Sequence, residues 1–197
     1  MTELTALEQE LRAASAALSK AGVRFALVGG LAASVRAEVR FTRDIDLAVA
    51  VSDDTEAEAL VLALHGSGYR PVASVEHDTR GRLATVRLLA QSGIKVDLLF
   101  AASGIEQETV QRATVVRLPL VGEMAVARAE ELLAMKILSM ADRRLQDRLD
   151  AQHLLERGPG VDLGCVRDNL RLIATRGYDR GLDLEARLDS LLAEVGS

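Results

Sequence analysis

The stretch FALVGGLAASVRAEVRFTRDIDLAVAV, residues 25–51, carries the features that decide the fold and chemistry of this chain. An apolar run ends in Gly29-Gly30, a short helical segment follows, and Asp44 and Asp46 then open a second apolar strand. Side chains two residues apart in a strand point to the same face, so the two carboxylates lie side by side and repel. A cation between them would turn this repulsion into attraction, and an all-oxygen site suits Mg²⁺, which also binds waters and substrate phosphates.

The glycine pair has two interpretations. A strand, a glycine turn and a helix start present unpaired backbone N–H groups that bind phosphate, and glycine allows the backbone a close approach. The alternative is a plain tight turn, which the pair alone does not exclude. Because an Asp-x-Asp strand follows within one short helix, the combination predicts a site for a metal-bound nucleotide.

The composition narrows the class of protein. The chain has 197 residues, which predicts one domain or one domain with a small helical extension. It has 24 Lys and Arg against 29 Asp and Glu, and a net charge of −5 argues against non-specific nucleic-acid binding. An aromatic content of only 3% argues against a base-stacking platform.

The single cysteine and the hydropathy predict the environment. Cys165 is the only cysteine, so it has no intrachain disulfide partner, and it fits the reduced cytosol. The acidic, amphipathic N-terminus predicts no signal peptide, and no apolar run approaches the roughly 20 residues that span a membrane. We therefore expect a cytoplasmic protein without a membrane partner.

The hydrophobic periodicity and the turn residues predict two regions. Residues 1–122 form an α/β unit that carries the chemistry, and residues 123–197 form a mostly helical C-terminal region after a break at 119–123. Gln91-Ser92-Gly93 predicts a hairpin. Strands are expected at about 24–28, 44–51, 82–90 and 93–100, and helices at about 4–22, 31–38, 53–66, 129–140, 146–155, 163–174 and 184–195.

Asp97 adds a third carboxylate to an apolar strand. One interpretation is an acid that faces water from an edge strand. The other places Asp97 beside the Asp-x-Asp strand, so that three carboxylates face one pocket and hold two cations. In that interpretation one cation holds the triphosphate, the other activates an attacking hydroxyl, and Asp97 is the base or the second-metal ligand.

Lys136 lies within the apolar arc of its helix. It either snorkels to the surface or reaches a nucleotide phosphate as a point charge. The charged segment 142–150 is interpreted mainly as a solvated helix face. Arg36, Arg40 and Arg43 flank the glycine turn and supply positive potential.

Other catalytic centres are not supported. The three histidines lack metal-ligand spacing, which argues against zinc hydrolysis. Ser34 has no evident histidine partner, so a Ser-His-Asp triad is not supported.

Several phrases resemble the nucleotidyltransferases of the DNA polymerase β superfamily and, more narrowly, the AbiEii-type nucleotidyltransferase-like toxins. The matching phrases are Val28-Gly29-Gly30-Leu31-Ala32, Arg40-Phe41-Thr42-Arg43-Asp44-Ile45-Asp46-Leu47, Val96-Asp97-Leu98 and Glu131-Leu132-Leu133-Ala134-Met135-Lys136. Gln146-Asp147-Arg148-Leu149-Asp150 looks like a degraded form of the family's Arg-Asp-x-x-Asp segment. The usual Gly-Ser of the superfamily is Gly29-Gly30 here, which removes a hydroxyl that would contact phosphate.

The resemblance implies an α/β fold, with a mixed sheet flanked by helices and a C-terminal helical extension. It implies NTP as substrate, Mg²⁺ as cofactor, metal binding at Asp44 and Asp46, and nucleotide contact at Lys136. Together with the residue patterns, it gives three sets of expected site residues. The metal ligands are Asp44, Asp46 and Asp97; the catalytic set adds Lys136; the nucleotide-binding set is Gly29, Gly30, Ser34, Arg40, Thr42 and Lys136.

The leading hypothesis is a nucleotidyltransferase that moves a nucleoside monophosphate from Mg-NTP to a hydroxyl. The acceptor is an RNA such as tRNA, a protein or a small molecule, and the chain is the toxin of a toxin–antitoxin pair with an antitoxin partner. The alternatives are a catalytically weak nucleotide-binding or partner-binding module and a structural scaffold. The adjacent like charges argue against the scaffold.

Overall fold

The computed structural model describes residues 5–38, 42–77, 80–140, 145–158 and 160–196. Within these ranges the chain forms one seven-stranded mixed sheet in the order β3-β4-β5-β2-β1-β7-β6, as the sequence predicts for the fold class. The strands are β1 Arg24–Val28, β2 Asp44–Ala50, β3 Arg70–Glu76, β4 Leu83–Leu89, β5 Lys95–Leu99, β6 Thr114–Leu118 and β7 Gly122–Val126.

Eight helices of the described ranges surround this sheet. They are α1 Ala6–Lys20, α2 Gly29–Arg36, α3 Asp54–Gly66, α4 Glu106–Arg112, α5 Ala129–Ser139, α6 Leu145–Arg157, α7 Leu163–Thr175 and α8 Leu184–Val195. Asp53 caps α3, because its carboxylate accepts the N–H of Glu56. The predicted β4–β5 hairpin is also present, with antiparallel pairing.

The predicted carboxylates lie on neighbouring strands at the centre of the sheet. Strand β2 lies antiparallel to β1 and parallel to β5. Ile45 and Leu47 have no exposed surface, while Asp46 pairs in register with Val28 on one side and Asp97 on the other. The alternation of the strand thus buries one apolar face and turns the acids to the opposite face.

Three strands and one helix lie where the sequence predicted none. All seven residues of β3 are exposed, so no buried face gives this edge strand the alternation that reveals a half-buried strand. Helix α4 has only seven residues, and β6 and β7 have five each. Such short elements carry too few apolar positions to show a period.

The β6–β7 hairpin bears on the predicted division of the chain. The expected break at 119–123 coincides with the loop between these two strands, and the boundary after residue 122 falls inside β7. Strand β7 runs parallel to β1 and so belongs to the same sheet. The sheet therefore continues into the region that was expected to be mostly helical.

The C-terminal helices join the sheet through α2 and α5. Helix α5 contacts α2, α6, α7 and α8. Arg36, expected to add positive potential near the glycine turn, instead donates from Nε and Nη2 to the carbonyls of Ala127 and Val126 at 2.8 Å. It therefore fastens the end of α2 to the end of β7.

Candidate functional site

A cavity of about 1700 Å³ opens over the carboxylate face of the central strands. The structure brings six of the sequence-predicted residues together in its lining: Gly30, Thr42, Asp44, Asp46, Asp97 and Lys136. The acids reach it from β2 and β5, and the lysine reaches it from α5. Their chemical roles stay predictions, but their convergence is a property of the fold.

The glycine turn supports Asp46 directly. Gly29 has φ +65°, and a Cβ atom at this position would lie 2.0 Å from Oδ2 of Asp46. The backbone N–H of Gly30 acts to lower the pKa of the Asp46 carboxyl. Glycine is thus required for conformation and for close approach, and the start of α2 already has an anionic partner within the protein.

The electrostatics of Asp46 show an excess of negative charge. Burial is the largest cause that raises the pKa of Asp46 to about 6, and the nearby charges of Asp97 and Asp44 act in the same direction. The charge of Lys136 and the N–H of Gly30 favour the ionised form but do not cancel these effects. Ionised Asp46 is therefore short of positive charge, which is the condition that a divalent cation relieves.

Asp97 has a partner that the sequence did not reveal. Arg87 donates from Nε to Oδ1 at 2.8 Å and from Nη2 to Oδ2 at 2.7 Å, in a two-pronged ion pair. The two residues are directly opposite each other on β4 and β5. Asp97 is buried, so it is not the water-facing edge acid of the alternative interpretation.

Lys136 is held between two carboxylates. Its Nζ lies 2.7 Å from Oδ1 of Asp147 and 2.7 Å from Oδ2 of Asp150. Because the side chain is only 10% exposed, the snorkelling interpretation is wrong. The interpretation of 142–150 as a solvated face is wrong for these two acids of α6, since Asp150 is 2% exposed and Asp147 lines the cavity.

The remaining predicted nucleotide-binding residues differ in position. The Thr42 hydroxyl donates to the carbonyl of Asp44 at 3.5 Å, so Thr42 stands at the entrance to β2. Ser34 is not among the cavity-lining residues, and its hydroxyl donates to the carbonyl of Gly30 at 3.0 Å. Helix α2 begins at Gly29, so Ser34 lies in its second turn, and its contact with nucleotide stays a prediction. Arg40 lies outside the described residues.

The far wall of the cavity was missed from the sequence. It includes His77 at the end of β3 and Asp179 and Arg180 between α7 and α8. The His77 ring lies against the Tyr178 ring with centroids 4.4 Å apart, which joins these two distant segments. Isolated polar residues in two loops carry no motif that indicates this contact.

Among the described residues, no three or more His, Cys, Asp and Glu side chains form a group arranged to hold a metal ion. Asp97 pairs with Arg87 and is also the register partner of Asp46, so its role as a metal ligand stays a prediction. Helices long and apolar enough to cross a membrane are likewise absent from the described ranges.

The fold is similar to that of solved nucleotidyltransferase structures. One is an antigenic nucleotidyltransferase-like protein from Paracoccidioides brasiliensis, with a TM-score of 0.53, 17% identity, and coverage of 93% of this chain and 92% of that chain. Another is ANT(2")-Ia in complex with adenylyl-2"-tobramycin, with a TM-score of 0.53, 12% identity, and coverage of 87% and 99%. A comparison with curated proteins gave no match.

The family comparison covers nearly the whole chain. The profile described as nucleotidyl transferase AbiEii toxin, type IV TA system, matches residues 11–194. That range includes every cavity residue described above, from the glycine turn to the α7–α8 loop. The chain therefore belongs to the AbiEii toxin nucleotidyl transferase family and is a nucleotidyltransferase.

Proposed function

We propose that this chain transfers a nucleoside monophosphate from Mg-NTP to a hydroxyl acceptor at the cavity over β2 and β5. The observation that carries the proposal is the placement of Asp44 and Asp46 beside Asp97, facing Lys136 across one cavity. Two same-face carboxylates next to a glycine turn provide the metal end of such a site, and the lysine provides the phosphate charge.

The residues present fit a divalent cation. Asp44 and Asp46 offer hard oxygen ligands on one strand face, and burial, together with the charges of Asp97 and Asp44, raises the pKa of Asp46. These two carboxylates would hold Mg²⁺. When bound, the ion neutralises phosphate charge that develops during transfer.

The protein residues would divide the remaining work. Lys136, already fixed by two hydrogen-bonded carboxylates, presents a positive charge toward the triphosphate. The acceptor oxygen forms a bond to the α-phosphorus while the bond from that phosphorus to the bridging oxygen breaks, and pyrophosphate leaves. Asp97 is our candidate to accept the hydroxyl proton, because it lies beside Asp46 in the sheet.

The proposed acceptor is specified only as a molecule that carries a hydroxyl group. The solved structure of ANT(2")-Ia, which has a similar fold, contains adenylyl-2"-tobramycin. In that protein, a small molecule carries the adenylyl group. For this chain we propose an RNA such as tRNA, a protein or a small molecule. As a member of a type IV toxin family, it is further proposed to act in the cytoplasm as a toxin opposed by an antitoxin.

A second candidate function is nucleotide binding with little catalysis. The observation that favours it is the Arg87 ion pair, which occupies both carboxylate oxygens of the proposed base. The two candidates agree on Mg-NTP binding and differ on transfer.

Labelled transfer separates them. The protein is incubated with each α-labelled NTP, Mg²⁺, and total RNA or cell lysate, and the labelled product is located. We expect label from at least one NTP with the native chain and none with the Asp44→Asn, Asp46→Asn double variant. Mg-NTP binding by calorimetry without any labelled product would favour the binding module, and the absence of both would overturn the proposed function.

A further inference from the structure

Arg87, Asp97 and Asp46 form one row across three neighbouring strands. Asp97 on β5 is the register partner of Arg87 on β4 and of Asp46 on β2. Neighbouring strands lie about 4.8 Å apart, so the guanidinium and the two carboxylates share one small volume. A charge at any of these positions is felt by the other two.

The Arg87–Asp97 contact is geometrically complete. Both carboxylate oxygens accept hydrogen bonds, at 2.8 and 2.7 Å, from two different nitrogens of the same guanidinium. Parallel bonds of this kind fix the orientation of both groups as well as their separation. The Arg87 side chain is 40% exposed, that of Asp97 is 11% exposed, and both residues line the cavity.

The surrounding charges reinforce this arrangement. Hydrogen bonding to Asp97 is the largest cause that raises the pKa of Arg87, and the charges of Asp44 and Asp46 add to it. Lys136, which lines the same cavity from α5, is bound to Asp147 and Asp150 on the helical side. Arg87 thus pairs directly with Asp97 and is influenced by Asp44 and Asp46, while Lys136 also acts on Asp46.

We propose that Arg87 is a positioning residue that keeps Asp97 from ligating metal, so that the nucleotide-free protein binds one divalent cation, at Asp44 and Asp46. This inference rests on the proposed function for the existence of that cation site. A second cation on Asp97 would have to displace the guanidinium or lie beside its positive charge. The protein side chain therefore occupies the place that a second metal ion would take.

Counting bound Mn²⁺ tests the proposal without reference to activity. Mn²⁺ is titrated into nucleotide-free protein, and the free ion is measured by electron paramagnetic resonance. We expect one bound ion in the native chain and a second in Arg87→Met, with the second site tightened by roughly tenfold or more, as for other changes next to metal ligands. Arg87→Lys keeps a positive charge beside Asp97 and should still bind one.

The chain offers a matched control. Arg82 donates from Nε to Asp54 at 2.7 Å, a similar ion pair away from the carboxylate row, so Arg82→Met should leave the count at one. In Arg87→Met, adding Asp97→Asn should return the count from two to one. Two ions in the native chain, or one in a folded Arg87→Met protein, would overturn the proposal.

A further variant covers the case in which Arg87→Met fails to fold. Asp97→Asn alone should leave the Mn²⁺ affinity of the nucleotide-free protein within a few-fold of the native value, because Asp97 is not a ligand in that state. A loss of roughly tenfold or more would overturn the inference. By contrast, equal Mn²⁺ binding by the native chain and the Asp44→Asn, Asp46→Asn variant would show that the proposed function itself is wrong.

Discussion

Two buried clusters of charge in this molecule are built in opposite ways. In the cavity, Asp46 shares its surroundings with Asp44 and Asp97 and has a pKa raised to about 6. Between α5 and α7, Glu131 has no exposed surface and contacts Arg112 and Arg128, each at 3.3 Å. The first cluster is short of positive charge, whereas in the second two arginines flank the central Glu131 and Arg128 also pairs with Glu130. Only the first is arranged so that an external cation would stabilise it.

The largest expected effect is in the first cluster. Replacing Asp44 and Asp46 with Asn removes both proposed metal-binding carboxylates and should abolish Mg²⁺-dependent NTP binding, as calorimetry would show. Transfer should fall by at least ~10³-fold, because stabilisation of the reacting phosphate is lost. Equal Mg-NTP affinity in the double variant would show that the site is assigned wrongly.

In the absence of metal, the Asp44→Asn, Asp46→Asn variant should be more stable than the native chain. Asp46 has a folded pKa of about 6 against an ordinary value of 3.8, so the folded state binds the proton more tightly and native stability falls as pH rises through this window. At pH 8 the double variant should gain about 1–3 kcal/mol in urea unfolding. Near pH 3, where the native carboxyl is protonated in both states, the gain from Asp46 should vanish.

Glu131→Gln should have the opposite consequence. Removing this charge leaves Arg112 and Arg128 without the acid they share, and we expect a loss of about 3 kcal/mol in the free energy of unfolding. The two arginine side chains are 42% and 36% exposed, so water limits the loss. Mn²⁺ binding should be unchanged, and a stability loss below about 1 kcal/mol would mean that the second cluster is not a structural one.

Lys136→Met tests the lysine that faces the first cluster. Loss of a charged hydrogen bond should weaken triphosphate binding by roughly 1.5–3 kcal/mol. Triphosphate affinity should fall more than nucleoside affinity, whereas equal losses would indicate that Lys136 serves only to hold α6. Stability should also fall, because Asp150 is 2% exposed and loses its ion pair with Lys136. Arg148→Met on the same helix is the control, since its pair with Glu194 is half-exposed.

Gly29→Ala tests the close approach of the glycine turn to Asp46 and should lower stability. A side chain in the left-handed region costs about 1–2 kcal/mol, and the added methyl group displaces the carboxylate of Asp46. Mn²⁺ affinity should therefore fall together with the melting temperature. Gly66→Ala is the matched control, because its Cβ would meet no atom within 4 Å and it should have little effect.

The sequence revealed one side of the cavity better than the other. The i, i+2 spacing of Asp44 and Asp46 determines their common face, and an apolar strand around Asp97 suggests a neighbour of β2. The Arg87 pair depends on strand register, which no local pattern specifies. The predicted start of α2, at about residue 31, lies two residues after its actual start at Gly29, because the sequence does not show that the glycine pair already belongs to the helix.

The contacts between α5 and α6 were also only partly predictable from the sequence. The apolar arc of α5 indicated that Lys136 points inward, yet not that α6 would bring Asp147 and Asp150 to it. Those acids resemble a solvated helix face in sequence, because helical periodicity does not tell which polar residues meet a buried cation. The position of His77 in the cavity wall is evident only from its tertiary contact with Tyr178.

The contact between His77 and Tyr178 joins segments that are synthesised at different times. A chain folds from its N-terminal side as it leaves the ribosome. The carboxylates of β2 and β5 emerge early and Lys136 follows, but the wall that contains Asp179 and Arg180 is synthesised after α7. The carboxylate end of the cavity is thus synthesised well before its far wall. For a member of a toxin family, this order delays a complete site until synthesis has passed the α7–α8 loop.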